Sequence, residues 1–254
     1  MKQIPKTIHY IWLGGGAHSP LQERCIESWK RNAPDFEIIR WDESNCDVNE
    51  NPYVSEAYGA KKWAFVSDYF RFKILAQHGG IYMDTDVELH QQIDSLLEHT
   101  CFFAFEKQDL VNGAIIGAIP NQPVIQYMID TYNRDAFIGK DGKHNLTPVP
   151  VRITKVLHKQ GLKFNGKRQK LSDGIVIYPV NILTLDLGDG KCIAEHHYEF
   201  SWSETKASVP YKYYLTKEFF KNGLIVRFVR LLKLLITALG LKPLAKLLHR
   251  RLQR

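Results

Sequence analysis

The sequence predicts an α/β fold, a layered sheet covered by helices, on three observations. Short β-branched and aromatic runs alternate with longer stretches of helical period along most of the chain. Gly and Pro stand at the junctions between them. The composition, 44% hydrophobic and 24% charged over 254 residues, is that of a globular chain long enough to bury a full core. With only 17 Gly and 11 Pro and no internal repeat, a fibrous or low-complexity protein is excluded.

Taken in order, residues 7–13 (TIHYIWL) are β-branched and aromatic and run into Gly14-Gly15-Gly16, the pattern of a buried strand entering a loop. Residues 20–31 have helical period and are closed by Pro34; residues 36–41 (FEIIRW) form a second strand. A long helix over 61–78 stops at Gly79-Gly80, where a left-handed cap suits glycine. Residues 81–89 (IYMDTDVEL) read as one strand. Strands follow at 101–106 and 113–119, helices at 123–132 and 151–159, and a late strand at 174–180. Layered sheets of this kind bind ligands beyond the carboxyl ends of their strands.

The net charge of +7 is unevenly placed. Residues 216–254 carry ten Lys or Arg against the single acid Glu218, a net of +9, which leaves −2 over residues 1–215. The body is therefore not a basic nucleic-acid binder, and the chain divides into a main domain over 1–215 and a basic amphipathic helical tail over 216–254. Within the tail, Arg227, Arg230 and Lys233 make a narrow charged stripe on an apolar helix over 224–240, and the pattern resumes after Gly240 and Pro243. The stretch without Lys or Arg is too short to span a bilayer. Such helices lie in an anionic lipid interface, or else pack on the domain or on a partner chain. The four cysteines, Cys25, Cys46, Cys101 and Cys192, form no C-x-x-C pair, which points to a reducing compartment. The first residues lack the charged-then-apolar pattern of an export signal. The expected location is the inner face of the plasma membrane, peripheral and cytoplasmic.

The sharpest chemical feature is Asp84-Thr85-Asp86. On a continuous strand Tyr82, Asp84 and Asp86 share one face, while Ile81, Met83 and Val87 share the other. Two adjacent carboxylates repel unless a proton or a cation intervenes, and a hard divalent ion bridging to a substrate phosphate is an economical solution. The plain alternative is a solvated acidic strand end. The preceding helix is mostly apolar but carries Asp68 and Arg71 three residues apart, on one face. They form either a local ion pair or an active-site wall whose arginine offers planar contacts to phosphate or sugar hydroxyls.

The run Ala64-x-x-Ser67-Asp68-x-x-Arg71, then Gly79-Gly80-Ile81-Tyr82-x-Asp84-x-Asp86, resembles the signature of glycosyltransferase family 32, the glycosyltransferases with a D-x-D sugar-binding region. That family includes Golgi α-1,6-mannosyltransferases and bacterial capsule and lipopolysaccharide enzymes. Ile4-Pro5-Lys6-x-Ile8-His9-x-x-Trp12 resembles the family's first strand, and His196-His197-x-x-x-Ser201-Trp202 its closing motif. One departure is visible: Val149-Pro150 stands where the family has Gly-Pro, with Thr154 kept.

The resemblance implies a GT-A-type, Rossmann-like fold that binds a nucleotide-sugar, with a divalent metal on the diphosphate and with retention of anomeric configuration. By position, Trp12 would stack on the base, although from sequence it reads equally as a core tryptophan. Ser67, Asp68, Arg71 and Tyr82 would hold the donor sugar. Asp84 and Asp86 would meet ribose and metal, Asp86 as the more direct ligand, and His197, ahead of His196, would add a metal or diphosphate contact. Asn112, Ser201 and Trp202 complete the implied donor site. Catalysis would rest on Asp84, Asp86, Arg71 and Asp68. Oxygen ligands plus a histidine favour Mn²⁺ over Mg²⁺. The expected reaction moves a hexose, UDP-linked, to a lipid-linked oligosaccharide in surface polysaccharide synthesis. The rival readings are a nucleotide-sugar hydrolase or phosphotransferase with the same metal site, and a non-catalytic membrane-bound binding protein.

Overall fold

The computed structural model describes residues 3–199. The elements run β1 (Thr7–Ile11), α1 (Pro20–Asn32), β2 (Glu37–Trp41), α2 (Pro52–Gly59), α3 (Trp63–His78), β3 (Gly80–Met83), β4 (Val87–Leu89) and β5 (Cys101–Lys107). They continue as β6 (Leu110–Val111), β7 (Ile115–Ala118), α4 (Pro123–Asn133), α5 (Val149–Lys159), β8 (Gln169–Lys170), β9 (Ile175–Tyr178), α6 (Val180–Leu183) and β10 (Ala194–His196).

Seven strands form the main sheet in the order β2-β1-β3-β7-β5-β9-β8, with β6 appended to β5. β1 runs parallel to β2 and β3, and β5 runs parallel to β9, while β7 is antiparallel to both β3 and β5. The carboxyl ends of β1, β3, β5 and β9 therefore share one edge with the amino end of β7. β3 and β7 are buried along their whole length, which is why they read as continuous apolar runs rather than alternating ones. One apolar cluster joins α2, α3, α4 and α5 to one sheet face through Phe65, Phe72, Phe103 and Tyr132. The other joins Trp29 of α1 to Ile8, Ile81 and Phe102 on the opposite face. The result is three layers.

Local chemistry sets the element ends. Ser19 caps α1 in a reciprocal box: Gln22 donates its backbone N–H to Ser19 Oγ, and Ser19 donates its own to Gln22 Oε1. The Trp29 indole N–H then donates to Val87 O at 2.7 Å, tying that helix to β4. α3 ends where Gly79 donates its N–H to Leu75 O. Gly79 and Gly80 have φ of 67° and 95°, and a Cβ on Gly80 would lie 2.7 Å from Thr7 O. Only glycine lets β3 leave α3 this abruptly and lie against β1.

His9 locks the same junction. Its ring is 1% exposed. Because the Trp41 indole can only donate, His9 Nδ1 is the acceptor at 3.1 Å, and Nε2 carries the proton that it donates to Gly79 O at 2.9 Å. Burial pulls this histidine from 6.5 down to about 4. The unfolded chain thus takes up a proton that the native state refuses as pH falls from 6.5 toward 4. Stability should be full above that window and fall by about 3 kcal/mol across it. Denaturant unfolding at stepped pH checks this: a His9→Gln variant should lose that slope, and an unchanged slope would remove His9 as its source.

Three expectations need correction. Residues 81–89 are not one strand. β3 stops at Met83, Val87 donates its N–H to Asp84 O to close a turn, and β4 leaves the sheet to pair antiparallel with β10. An alternating sequence looks the same whether or not a tight turn interrupts it, so the break is invisible to periodicity. β1 ends at Ile11 rather than residue 13, so Trp12 opens the following loop. The sequence also did not anticipate α2, started by Asn51 and Pro52, or β10. The 216–254 tail, with the domain boundary drawn at 215, lies outside the described residues.

Candidate active site

A cavity of about 710 Å³ opens at the shared strand edge, where a layered sheet places its ligands. Its walls include Trp12, Ser67, Asp68, Arg71, Tyr82, Asp84, Asp86, Asn112 and His196 from the sequence-derived set.

Arg71 is the hub. It is 3% exposed. One terminal nitrogen donates to Gly113 O at 2.7 Å and lies 3.4 Å from Asp84 Oδ1; the other donates to Asp68 Oδ1 at 2.7 Å and to Ser67 Oγ. Its carbon sits 4.7 Å from the centre of the Tyr82 ring, whose hydroxyl donates to Asp84 Oδ1 at 2.6 Å. The ion pair and the active-site wall are thus the same structure. The guanidinium is engaged by the protein itself, so it orients Asp68 and Asp84 more than it offers an unfilled fork. Burial pushes the Asp68 carboxyl up to about 6, against the pull of Arg71.

Beside this wall, ligand atoms of Asp84, Asp86 and His196 all lie within 4.8 Å of one another. His196 Nε2 is 3.4 Å from Asp86 Oδ1, and Glu199 donates its backbone N–H to Asp86 Oδ2 at 2.8 Å. Against the opposing cost of burial, these two partners hold Asp86 down at about 2. Among the described residues, His196 Nδ1 is buried without a hydrogen-bond partner. Two carboxylates and an imidazole with a spare nitrogen fit a divalent cation.

His197 was expected ahead of His196, and the geometry reverses them. His197 Nε2 lies 2.8 Å from Glu88 Oε2, while His196 faces Asp86. Neighbours on a strand point to opposite faces, and the β4–β10 register, with His196 opposite Val87, decides which one meets the cavity.

Trp12 is not a core residue. It is half-buried at the cavity wall, its indole N–H donating to Gly16 O and its ring centre 4.2 Å from that of His18. Asn112 is 1% exposed and serves the fold: its Oδ1 accepts from the Ala114 N–H and its Nδ2 donates to Thr184 Oγ1. Thr154 accepts from the Val111 N–H and donates to Pro150 O, fixing α5 to β6. Val149 packs where a side chain on Gly113 would stand. Ser201 and Trp202 lie outside the described residues. Sequence reasoning missed Glu106, a cavity residue at the end of β5. An acid closing the apolar run CFFAF was the available signal, because a buried strand that ends in a charge ends at solvent or at a site.

Residues 19–103 match the family described as "Glycosyltransferase sugar-binding region containing DXD motif". An uncharacterized glycosyltransferase of Acanthamoeba polyphaga mimivirus is 30% identical over 158 residues, covering 57% of this chain and 60% of that protein. Inositol phosphoceramide mannosyltransferase 2 of Schizosaccharomyces pombe is 26% identical over 140 residues, covering 52% of this chain and 39% of that protein. The chain thus spans roughly two-fifths to three-fifths of the length of these relatives. Among solved structures, the PaToxG glycosyltransferase matches with a TM-score of 0.50 at 20% identity, covering 63% of this chain and 71% of that one, a likeness of fold. The fold is of the GT-A type. Motif and relatives agree: residues 19–103 carry a glycosyltransferase sugar-binding DXD region, and the chain is similar to glycosyltransferases over about half its length.

Proposed function

We propose that this protein is a retaining glycosyltransferase that moves a hexose from a nucleotide-sugar, UDP-linked, to a lipid-linked oligosaccharide acceptor in surface polysaccharide synthesis. The observation that carries the reading is the convergence of Asp84, Asp86 and His196 beside the Asp68–Arg71–Tyr82 wall in one cavity. Asp84, Asp86 and His196 would hold a divalent cation, Mn²⁺ by ligand softness or Mg²⁺, which would supply positive charge to a leaving diphosphate. Trp12 offers a flat face to the base. Asp68, oriented by Arg71, takes sugar hydroxyls, and the carboxylates around the anomeric centre favour the positive charge that develops there. The acceptor hydroxyl attacks from the face that the diphosphate leaves. The bond to the phosphate oxygen breaks with its electron pair, and that oxygen receives the acceptor's proton.

A lipid acceptor is supported by the S. pombe relative, whose name gives inositol phosphoceramide as its substrate. It is also supported by the basic, apolar composition of residues 224–254, which suits peripheral attachment to the anionic cytoplasmic face of the membrane. No helix among the described residues is long and apolar enough to cross a membrane.

A thermal-shift screen of nucleotide-sugars with Mn²⁺, followed by product analysis with and without acceptor, tests the reading. One donor should raise the melting temperature selectively, and Trp12→Ala should weaken its binding by roughly 1–3 kcal/mol without unfolding the protein. Release of free sugar unaffected by any acceptor would favour a hydrolase instead.

A further inference from the structure

Four groups mark successive strand ends along the cavity. Trp12 follows β1, Asp84 and Asp86 follow β3, Gly113 precedes β7, and Glu106 stands at the carboxyl end of β5. Neighbouring strands lie about 4.8 Å apart, so three steps separate the β1 and β5 ends by about 14 Å. With a base at Trp12 and a diphosphate at the Asp84–Asp86 turn, Glu106 falls beyond the diphosphate, at the far end of the substrate.

Its chemistry says which part of the substrate meets it. Asp68 and Asp84 are engaged by Arg71 and Tyr82, and Asp86 by His196 and the Glu199 N–H. Glu106 lines the same cavity half-buried, and among the described residues no hydrogen bond or ion pair engages its carboxylate. Partial burial of a carboxylate costs solvation that a donated hydrogen bond relieves. A diphosphate at neutral pH only accepts and carries like charge, whereas a carbohydrate hydroxyl donates. The same cavity has an apolar stretch of wall, formed by Val149, Pro150 and the 44% exposed Val151, a surface that suits the C–H face of a sugar ring.

We propose that Glu106 binds the acceptor: its carboxylate takes hydrogen bonds from hydroxyls flanking the one that attacks, which selects a sugar with a neighbouring diol. The attacking hydroxyl keeps its own proton for the departing phosphate. This inference rests on the glycosyltransferase reading above.

The full-length protein, its Glu106→Gln and Glu106→Ala variants, and a panel of methyl glycosides of mannose, galactose, glucose and N-acetylglucosamine test it. Wild type should transfer to at least one glycoside. Glu106→Ala should raise the KM for that glycoside roughly 10–100-fold, the worth of hydrogen bonds to a charged group. The isosteric Glu106→Gln should raise it less, with the donor Kd from calorimetric titration unchanged in both. An unchanged acceptor KM, or a donor Kd that rises with it, overturns the assignment. A wild type that turns over no nucleotide-sugar at all overturns the underlying reading, and this inference falls with it.

Discussion

Asp86→Ala should lower transfer by roughly 10³-fold or more while leaving a folded protein. Asp86 sits where β3 has just ended, held by His196 at 3.4 Å and by the Glu199 N–H at 2.8 Å, so its charge is fixed in place beside Asp84. Its folded carboxyl lies at about 2, against an ordinary value of 3.8. That depression contributes about 2 kcal/mol above pH 3.8, lost as pH falls through 2. The variant should therefore be less stable than wild type by that amount at neutral pH, and the difference should shrink under acid. Asp84→Ala should be nearly as inactive, because Arg71 and Tyr82 both converge on that carboxylate. EDTA should silence the wild type, with Mn²⁺ restoring it. A steady-state transfer assay beside thermal unfolding separates loss of chemistry from loss of fold. Retention of more than about a tenth of turnover by Asp86→Ala, or full activity in EDTA, would remove the metal assignment.

Arg71→Met should destabilise the protein by about 3–5 kcal/mol, the cost of stranding a buried partner charge. Arg71 and Asp68 are 3% and 6% exposed, and the guanidinium also satisfies Gly113 O. Without it, Asp68 can escape only by taking a proton, so the loss should be smaller at pH 5 than at pH 8. Adding Asp68→Asn should recover much of the stability but no activity, since Asp84 would still lack its orienting partner. Arg71→Lys should not rescue either property: a single ammonium cannot meet Asp68, Asp84 and a backbone carbonyl in a plane while stacking on Tyr82. Denaturant unfolding at both pH values for the single and double variants measures the coupling. Independent, additive effects of Arg71→Met and Asp68→Asn would mean that the pair is incidental to the fold.

Much of this was legible in the chain before any coordinates. Local rules suffice for α1, with its Ser19 box, for α3 running from an apolar start to Gly79, and for the buried strands β3, β5 and β7. Motif spacing brought Asp68, Arg71, Tyr82, Asp84 and Asp86 to one site, and the described cavity holds them all.

By itself, then, the sequence determined the α/β class, most of the main helices and buried strands, and several residues of the cavity wall. These depend on propensity, caps and apolar periodicity within a few residues. Only the tertiary structure decided which histidine joins Asp86, because that follows from the register of β10 on β4, two segments about a hundred residues apart. It likewise decided that Asn112 serves the fold and that Glu106 faces the cavity, since the partner of the first is Thr184 and the setting of the second comes from the strand order. Side-chain alternation gives two faces to any strand; which face meets the ligand is fixed by what the chain packs on the other.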